Sequence, residues 1–229
     1  MKISTRNIQS WWGKRINLII DCLKEISDSD IVILTEYRNN HKENIYNNFL
    51  NLWYKFIYNS TKENNKNSLI IASKIELNRE KIELEEHSHR IIKLYKDDVI
   101  IYWCYFPQWS EKKIIFDFLI KEVEKHKDKK IIITGDINTG KHFIDENWKT
   151  FICSNYIDVL EEIWIIDAWR LKNKNTKEYS WYSHSWNWFR IDHFFISENL
   201  SKYIINCQYS HIYREQKISD HSLIYLELE

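Results

Sequence analysis

The sequence predicts a mixed α/β fold. Two short runs of β-branched residues each follow a stretch in which apolar residues recur at helical spacing, and further apolar runs occur along the rest of the chain. Short apolar runs without polar alternation are typical of strands that are buried on both faces. The 229 residues suffice for one well-buried core. We therefore expect a single domain over residues 1–229 in which helices and strands are mixed throughout.

The first helix and strand pair lies near the amino terminus. Apolar residues at helical spacing predict an amphipathic helix from Gly13 to Ser27. The run Ile31-Val32-Ile33-Leu34, bounded by polar residues, predicts a buried strand. Glu36 then stands at the carboxyl end of that strand.

The same layout recurs in the middle of the chain. A helix is predicted from Glu111 to His126, and an isoleucine-rich strand follows that ends at Asp136. Asp136 thus takes the place that Glu36 takes in the first pair. Four further runs rich in β-branched and aromatic residues predict strands: they are Ser68–Ser73, Val99–Phe106, Ile191–Ser197 and Leu223–Leu228.

Composition narrows the function classes. The formal net charge is zero, so a nucleic-acid partner would need a local basic patch. The 4 cysteines are widely spaced and form no CxxC pair, which indicates neither a zinc site nor a disulfide framework and favours a reducing cytoplasm. We see no export signal and no run of about 18 apolar residues, so no membrane role is expected. The 11 tryptophans fit either a packed core or a stacking surface.

Carboxylates at the ends of buried strands are the first candidates for chemistry. Any one of them alone is ordinarily a solvated residue or a cap, but a buried carboxylate is costly unless it is paired or holds a metal. After the second strand, Gly135 permits a tight turn, and Asp136 and Asn138 project from the same side of an extended chain. Such a sparse set of oxygen ligands suits Mg²⁺ better than zinc.

The carboxyl-terminal part of the chain supplies two Asp and His pairs at strand entrances, Asp192-His193 and Asp220-His221. An isolated pair of this kind is ordinarily a cap beside a surface imidazole. Alternatively, Asp192 accepts a hydrogen bond from His221, which fixes the tautomer of the ring and leaves its other nitrogen for a phosphoryl oxygen. Both interpretations remain open at this point.

Six short motifs in this order resemble the endonuclease/exonuclease/phosphatase superfamily. They span Asn7 to His221 and are Asn7, Glu36, Tyr105-Phe106-Pro107, Gly135-Asp136-Ile137-Asn138, Arg190-Ile191-Asp192 and Ser219-Asp220-His221. The resemblance implies a four-layer α/β/β/α sandwich, in which two mixed sheets lie face to face with helices outside. It also implies an active site at one rim, where the strand ends that carry the motifs converge.

The resemblance also implies a role for each residue. It assigns Glu36, Asn7 and Asp220 to a metal, which is Mg²⁺ with Mn²⁺ as the alternative, and it assigns the attacking water to Asp136. Asn138 and His221 would hold the scissile phosphate, with Asp192 behind His221. Tyr105 would approach the phosphate or the leaving oxygen, although a core tyrosine with a satisfied hydroxyl is its other interpretation.

The closest resemblance is to exonuclease III and apurinic/apyrimidinic endonucleases, which implies a DNA nuclease acting as a monomer without an obligate protein partner. Phe189, Ile191 and Trp188 are then candidates for a pocket, or simply packing beside the strand. The candidates for a phosphate-binding rim are Arg6, Lys14, Arg15, Arg38, Lys74, Lys141 and Arg190, and those for stacking on bases are Trp11, Trp12 and Trp109. A nonspecific endonuclease, a phosphomonoesterase or lipid phosphodiesterase, and a non-catalytic binding module are the alternatives.

Overall fold

The computed structural model describes residues 1–9, 15–174, 176–183 and 187–229. In chain order the strands are β1 (Lys2–Asn7), β2 (Ile31–Tyr37), β3 (Phe56–Asn59), β4 (Ser68–Ser73), β5 (Asn78–Glu80), β6 (Ile91–Lys96), β7 (Val99–Tyr105), β8 (Lys130–Asp136), β9 (Ile165–Asp167), β10 (Trp181–Tyr182), β11 (Trp188–Phe189), β12 (Asp192–Ser197), β13 (Ile204–Ser210) and β14 (Leu223–Leu228). The α-helices are α1 (Ile16–Glu25), α2 (Lys42–Asn51), α3 (Lys112–Lys125), α4 (Asn155–Glu162) and α5 (Ile212–Glu215).

The strands form two mixed sheets of six strands each and one small hairpin. The first sheet has the order β13-β14-β1-β2-β4-β3, and the second has the order β5-β6-β7-β8-β12-β9. The hairpin pairs β10 with β11. Helices cover the outer faces of both sheets, so the fold is the predicted four-layer α/β/β/α sandwich.

Three apolar clusters separate the four layers. The central cluster lies between the sheets and joins residues such as Ile33 of β2 to Trp103 of β7. A second cluster packs α1 and α2 on the outer face of the first sheet. The third packs α3 and α4 on the outer face of the second sheet. Because both faces of each sheet are covered, the central strands β2, β4 and β7 are mostly apolar and show continuous runs in the sequence, whereas the central strand β1 buries several polar side chains.

Strand direction brings the motifs to one rim. β1 runs parallel to β2, and Asn7 is aligned with Thr35. β7 runs parallel to β8, and Tyr105 is aligned with Asp136. The carboxyl ends of parallel neighbours meet at the same edge of a sheet. β12 is antiparallel to β8 and therefore begins at that edge, where Asp192 is paired with Asp136.

The predicted elements are largely confirmed. The predicted strands Ser68–Ser73 and Leu223–Leu228 have the observed bounds. The predicted central helix begins one residue later and ends one residue earlier than expected, at Lys112 and Lys125. The first helix is shorter than predicted and runs from Ile16 to Glu25, while residues 13–14 of that prediction lie outside the described residues. Within the described ranges, no helix is long and apolar enough to cross a membrane.

Candidate active site

Asn7 and Glu36 lie side by side at the rim of the first sheet. The side-chain amide of Asn7 donates to Glu36 Oε1 at 3.1 Å and to Asp136 Oδ2 at 2.9 Å. Its amide oxygen accepts the backbone N–H of Gln9 at 2.8 Å. Asn7 therefore bridges the carboxylates of the two sheets.

Glu36 occupies an irregular position in its strand. The register between β2 and β4 shifts between Thr35 and Tyr37, and Glu36 has a φ of 58°. A β-bulge of this kind re-aims one side chain and leaves its residue out of the ladder. A left-handed conformation costs a residue other than glycine free energy, and such strain is concentrated at functional sites. The bulge accounts for a Glu36 side chain that reaches Asn7 instead of continuing the alternation of the strand.

The end of β8 is shaped by Gly135. Its φ is +130°, and a Cβ atom there would lie 1.9 Å from the carbonyl oxygen of Cys104 on β7. No other residue fits this approach of two backbones. The next residue, Asp136, accepts the backbone N–H of Asn138 on Oδ1 at 3.0 Å. The side-chain amide of Asn138 donates to the carbonyl oxygen of Phe106 at 2.8 Å, so the whole turn is fixed.

Asp192 and His221 form a buried pair. Nδ1 of His221 lies 2.8 Å from Asp192 Oδ2, and because a carboxylate accepts hydrogen bonds, Nδ1 is the donor. The Oγ of Ser219 accepts the backbone N–H of His221 at 3.1 Å and donates to the carbonyl oxygen of Asn7 at 2.8 Å. The loop before β14 is thereby tied to the end of β1, and the second ring nitrogen of His221 remains for other contacts.

The site formed by Glu36, Asp136, Asp192, Asp220 and His221 carries more negative than positive charge. Burial raises the pKa of Asp136, and the neighbouring carboxylates Asp192 and Glu36 raise it further, while His221 and Asn7 oppose the shift. Burial alone would lower the pKa of His221, but Asp192 together with Asp136 and Asp220 raises it above its usual range. His221 therefore carries a proton at neutral pH, and one imidazolium faces several carboxylates.

Two observations fit this cluster to a metal ion. The carboxylates of Asp136 and Asp192 each have an oxygen within 4.8 Å of the other and of a His221 nitrogen, so the charge of one imidazolium balances only part of theirs. Asp220 accepts the indole N–H of Trp181 on Oδ2 at 2.9 Å, whereas its Oδ1 is buried and has no hydrogen-bond partner among the described residues. A buried carboxylate oxygen without a partner is costly, and a cation would satisfy it. Carboxylate and amide oxygens are ligands for a hard cation such as Mg²⁺ or Mn²⁺.

A cavity of about 310 Å³ opens beside the cluster. One end is polar and the other is aromatic, where Trp181 and Phe189 stack at 5.5 Å between ring centroids with an interplanar angle of 5°. Phe151 lies 5.2 Å from Phe189 and extends this wall. The residues that line the cavity are Glu36, Gln108, Trp109, Lys112, Asp136, Asn138, Thr150, Phe151, Ile152, Trp181, Phe189, Ile191, Asp220 and His221.

The structure brings together most of the residues predicted for the site. Tyr105 is 8% exposed, and its hydroxyl donates to Glu36 Oε1 at 3.4 Å, so it lies at the cluster. Phe189 and Ile191 line the cavity, as the pocket prediction requires. Trp188 does not line it: Trp188 stacks on Tyr182 at 5.3 Å on the other face of the hairpin. Side chains alternate between the two faces of a strand, so Trp188 and Phe189 point to opposite sides.

Arg190, which is predicted to bind substrate, is enclosed within the protein. Arg190 is 1% exposed, and its guanidinium contacts Asp145 Oδ1 at 2.7 Å and Asp167 Oδ2 at 2.5 Å. It neutralises two buried carboxylates, and Arg170 also contacts Asp145 while His193 also contacts Asp167. A phosphate in the cavity cannot reach a guanidinium that is enclosed in this way.

Three other cations of the predicted rim are also engaged elsewhere. Arg6 is buried with its guanidinium 4.1 Å from the ring centroid of Tyr213. Lys74 contacts the carbonyl oxygen of Ser27 near the opposite end of the sheet, and Lys141 pairs with Asp158 and Glu161. Among the remaining candidates, Trp109 lines the cavity and is 68% exposed, Arg15 contacts the backbone of Ile218, and Arg38 contacts Asn67. Trp11, Trp12 and Lys14 lie outside the described residues.

Sequence reasoning missed six of the residues that line the cavity, which are Gln108, Lys112, Thr150, Phe151, Ile152 and Trp181. Trp181 holds Asp220, Phe151 extends the aromatic wall, and Lys112 lies beside Asn138 with its ammonium 2.6 Å from the carbonyl oxygen of that residue. Local pattern carries no signal for Trp181, because its partner is 39 residues away. Lys112 stands beside the equally charged Lys113, but it falls at helical spacing with Ile115, Phe116 and Leu119 on the buried face of α3, and this spacing is the local signal for its burial.

Sequence comparison identifies a family. The model of the Endonuclease/Exonuclease/phosphatase family matches residues 7–221, which covers every motif described above. No curated protein sequence matches the chain significantly. The match begins at Asn7 and ends at His221, which are the first and last residues of the candidate active site in the sequence.

Comparison of structures finds the same fold in DNA-processing enzymes. An AP endonuclease from Archaeoglobus fulgidus aligns with a TM-score of 0.84 at 19% identity, over 100% of this chain and 99% of that one. The 3′ phosphatase NExo from Neisseria, bound to a product DNA hairpin, aligns with a TM-score of 0.81 at 17% identity, over 100% and 99% of the two chains. The 3′-5′ exonuclease NExo from Neisseria meningitidis aligns with a TM-score of 0.78 at 17% identity, over 100% of both.

Proposed function

Because the chain belongs to the Endonuclease/Exonuclease/phosphatase family, whose members are metal-dependent hydrolases of phosphoester bonds, we propose that it is a Mg²⁺-dependent phosphodiesterase that cleaves DNA. The observation that carries the proposal is the group of carboxylates of Glu36, Asp136, Asp192 and Asp220 around His221, which lies beside a cavity with an aromatic wall. The cluster offers a cation site and a proton acceptor, and the cavity offers room for part of a nucleotide. We propose further that residues 1–229 act as one domain and as a monomer.

Glu36 and Asp220 are the proposed metal ligands, with Asn7 beside them. Bound there, Mg²⁺ would neutralise negative charge that develops on the phosphoryl oxygens. Asn7 donates to both Glu36 and Asp136, so it sets the distance between the metal ligands and the group that handles water. The strained bulge at Glu36 keeps this carboxylate at the rim.

Asp136 is proposed to accept the proton of the attacking water. Burial and the neighbouring carboxylates raise its pKa, which brings a carboxyl group closer to the pKa that suits a general base near neutral pH. His221 is proposed to donate from its second ring nitrogen to a phosphoryl oxygen, since its Nδ1 is committed to Asp192. These donors are fixed before the substrate binds, and preorganised charge of this kind stabilises transition states effectively.

The aromatic end of the cavity supports a nucleic-acid substrate. The rings of Trp181, Phe189 and Phe151 form an apolar wall a few ångströms from the polar cluster, and apolar walls of this sort accept a sugar or an unpaired nucleotide turned out of a helix. The fold relatives named as an AP endonuclease and a DNA-bound 3′ phosphatase are consistent with DNA. An exonuclease III-like or AP endonuclease-like nuclease is therefore the specific proposal.

A cleavage panel tests this proposal. It contains a duplex with one abasic site, intact duplex DNA, single-stranded DNA, RNA and an inositol phosphate, each incubated with Mg²⁺ or Mn²⁺ and with neither. We expect metal-dependent incision of DNA, strongest at the abasic site. The Glu36→Gln variant, purified in the same way, is the control for a contaminating nuclease. Because it lacks a proposed metal ligand, we expect it to lose the metal-dependent incision.

Each other outcome of the panel rejects a defined part of the proposal. Hydrolysis of the inositol phosphate alone would reject the DNA substrate while keeping the chemistry. Equal cutting of all nucleic acids would favour a nonspecific nuclease. Inactivity toward every substrate with both metals would favour a non-catalytic binding module.

A further inference from the structure

We propose that Lys112 is a phosphate-binding residue of this site, and that its ammonium pairs with a phosphoryl oxygen that enters the cavity. The inference deepens the proposed function and rests on it for the substrate, but the ligand chemistry is the phosphoryl group itself. Lys112 is absent from the motifs of the sequence, and it was not among the cations predicted for the rim.

The first argument is a comparison of the two most deeply buried lysines. Lys93 and Lys112 are each 1% exposed. Lys93 pairs with Glu80 at 2.8 Å and with Glu122 at 2.7 Å. Lys112 has no carboxylate at ion-pairing distance among the described residues, and the one hydrogen bond of its ammonium there is to the carbonyl oxygen of Asn138 at 2.6 Å. An ammonium has three donors, so Lys112 retains capacity that Lys93 has used.

The second argument is the position of Lys112 in its helix. It is the first residue of α3, where the helix dipole favours an anion and disfavours a cation. Burial lowers the pKa of Lys112 to about 8, although nearby Asp136 opposes the shift. A lysine that is buried, unpaired and placed at the positive end of a helix is unfavourable in three ways at once. Stability alone therefore gives no reason for it.

The third argument is what lies across from the ammonium. Lys112 lines the same cavity as Asp136, Asn138 and His221. Through its hydrogen bond it lies directly beside Asn138, a residue proposed to hold the phosphate. A phosphoryl oxygen in the cavity would give Lys112 the anion that it lacks, and it would also interact favourably with the amino end of α3. One ligand thus removes all three unfavourable features.

The test measures phosphate binding without turnover. The full-length protein is titrated with inorganic phosphate in the presence of Mg²⁺, and heat release is recorded for wild type and for Lys112→Met. Loss of a charge-assisted hydrogen bond predicts at least about tenfold weaker binding in the variant. Lys113→Met is the matched control, because Lys113 is the next residue of the same helix and is exposed; its affinity should equal that of wild type.

Two further measurements distinguish a role of Lys112 in phosphate binding from a purely structural role. Lys112→Gln keeps a donor for the carbonyl oxygen of Asn138 but removes the charge, and it should lose phosphate affinity as Lys112→Met does. Thermal unfolding of Lys112→Met should occur at the wild-type temperature or above, since a buried unpaired charge has been removed. Wild-type phosphate affinity in Lys112→Gln, or a clearly lower unfolding temperature in Lys112→Met with unchanged affinity, would overturn the proposal.

The proposed function and this inference fail in different ways. If the cleavage panel shows no DNA cleavage but phosphate binding depends on Lys112, the phosphoryl site stands and only the substrate is wrong. If wild type binds no inorganic phosphate, the inference is rejected whether or not DNA is cleaved.

Discussion

Two clusters of buried charge lie next to each other in this fold, and they differ in whether their charges cancel. The closed ion cluster consists of Arg190 and Arg170 with Asp145 and Asp167. The open carboxylate cluster consists of Glu36, Asp136, Asp192 and Asp220 with His221. Two guanidinium groups balance two carboxylates in the first. In the second, four carboxylates face a single imidazolium.

The difference is visible in the ionisation of the carboxyl groups. Burial opposes ionisation in both clusters, but Arg190 and His193 lower the pKa of Asp145 and Asp167 below its usual range. The pKa of Asp136 is raised by burial and by the neighbouring Asp192 and Glu36, and His221 offsets only part of this shift. In the closed ion cluster, cationic side chains of the protein itself offset the free-energy cost of burying the carboxylates. In the open carboxylate cluster, part of this cost is offset only when a cationic ligand binds. This difference distinguishes a structural from a functional group of charges.

The largest expected effect is a loss of turnover on substitution in the open carboxylate cluster. Asp136→Asn keeps the shape of the side chain but removes the proton acceptor, and general base catalysis is worth about 10²- to 10⁴-fold in rate. We expect turnover of the best DNA substrate to fall by that factor. The free energy of unfolding in urea should stay the same or rise, because a carboxylate among other carboxylates has been neutralised. Unchanged turnover would remove Asp136 from its proposed role.

The closed ion cluster should respond in the opposite sense. Arg190→Met leaves Asp145 and Asp167 buried without their main partner, and breaking a buried pair in this way costs about 3–5 kcal/mol. We expect the midpoint of urea unfolding to fall sharply, with activity lost only in proportion to unfolded protein. A stable Arg190→Met variant with specifically weakened DNA binding would instead support a role for Arg190 in substrate binding.

Metal addition should stabilise only through the open cluster. A ligand that binds the folded state alone adds about 2.7 kcal/mol at one hundred times its dissociation constant. We expect the unfolding temperature to rise with Mg²⁺ or Mn²⁺ in wild type and to remain nearly constant in Glu36→Gln. Equal stabilisation of both proteins would show that the ion binds at another place.

The sequence was sufficient for the parts of the site that follow from strand ends. Glu36 and Asp136 were found because each follows a continuous apolar run, and parallel strands bring their carboxyl ends to one edge. The less apolar elements carried no comparable pattern. β3 is half-buried throughout and β5 is exposed throughout, so neither shows the contrast on which strand prediction depends.

The sequence was insufficient wherever a partner decides the role of a residue. Arg190 lies in a motif beside Asp192, yet its partners Asp145 and Asp167 are 45 and 23 residues away. Nothing local distinguishes an arginine that is enclosed by two carboxylates from one that faces substrate. For the same reason Lys112, whose contact with Asn138 spans 26 residues, was not predicted.

The smallest expected effect concerns Trp181, which connects the aromatic wall to the open cluster. Its indole N–H holds Oδ2 of Asp220, which leaves the unpartnered Oδ1 for the metal. Trp181→Phe keeps a ring that can stack on Phe189 but removes this donor, and a hydrogen bond to a charged group is worth about 1.5–3 kcal/mol. We expect Mn²⁺ affinity, followed by electron paramagnetic resonance, to fall by about tenfold.

Trp164→Phe is the matched control for this last effect. Trp164 is 68% exposed and lies beside Glu198, beyond the end of β12 that is opposite to Asp192. Its substitution should leave Mn²⁺ affinity unchanged. If Trp181→Phe also binds Mn²⁺ as wild type does, the carboxylate of Asp220 is held in place by the backbone alone. The aromatic wall and the metal site would then be independent parts of the cavity. A loss of Mn²⁺ affinity in Trp181→Phe alone would instead show that the aromatic wall supports the metal site.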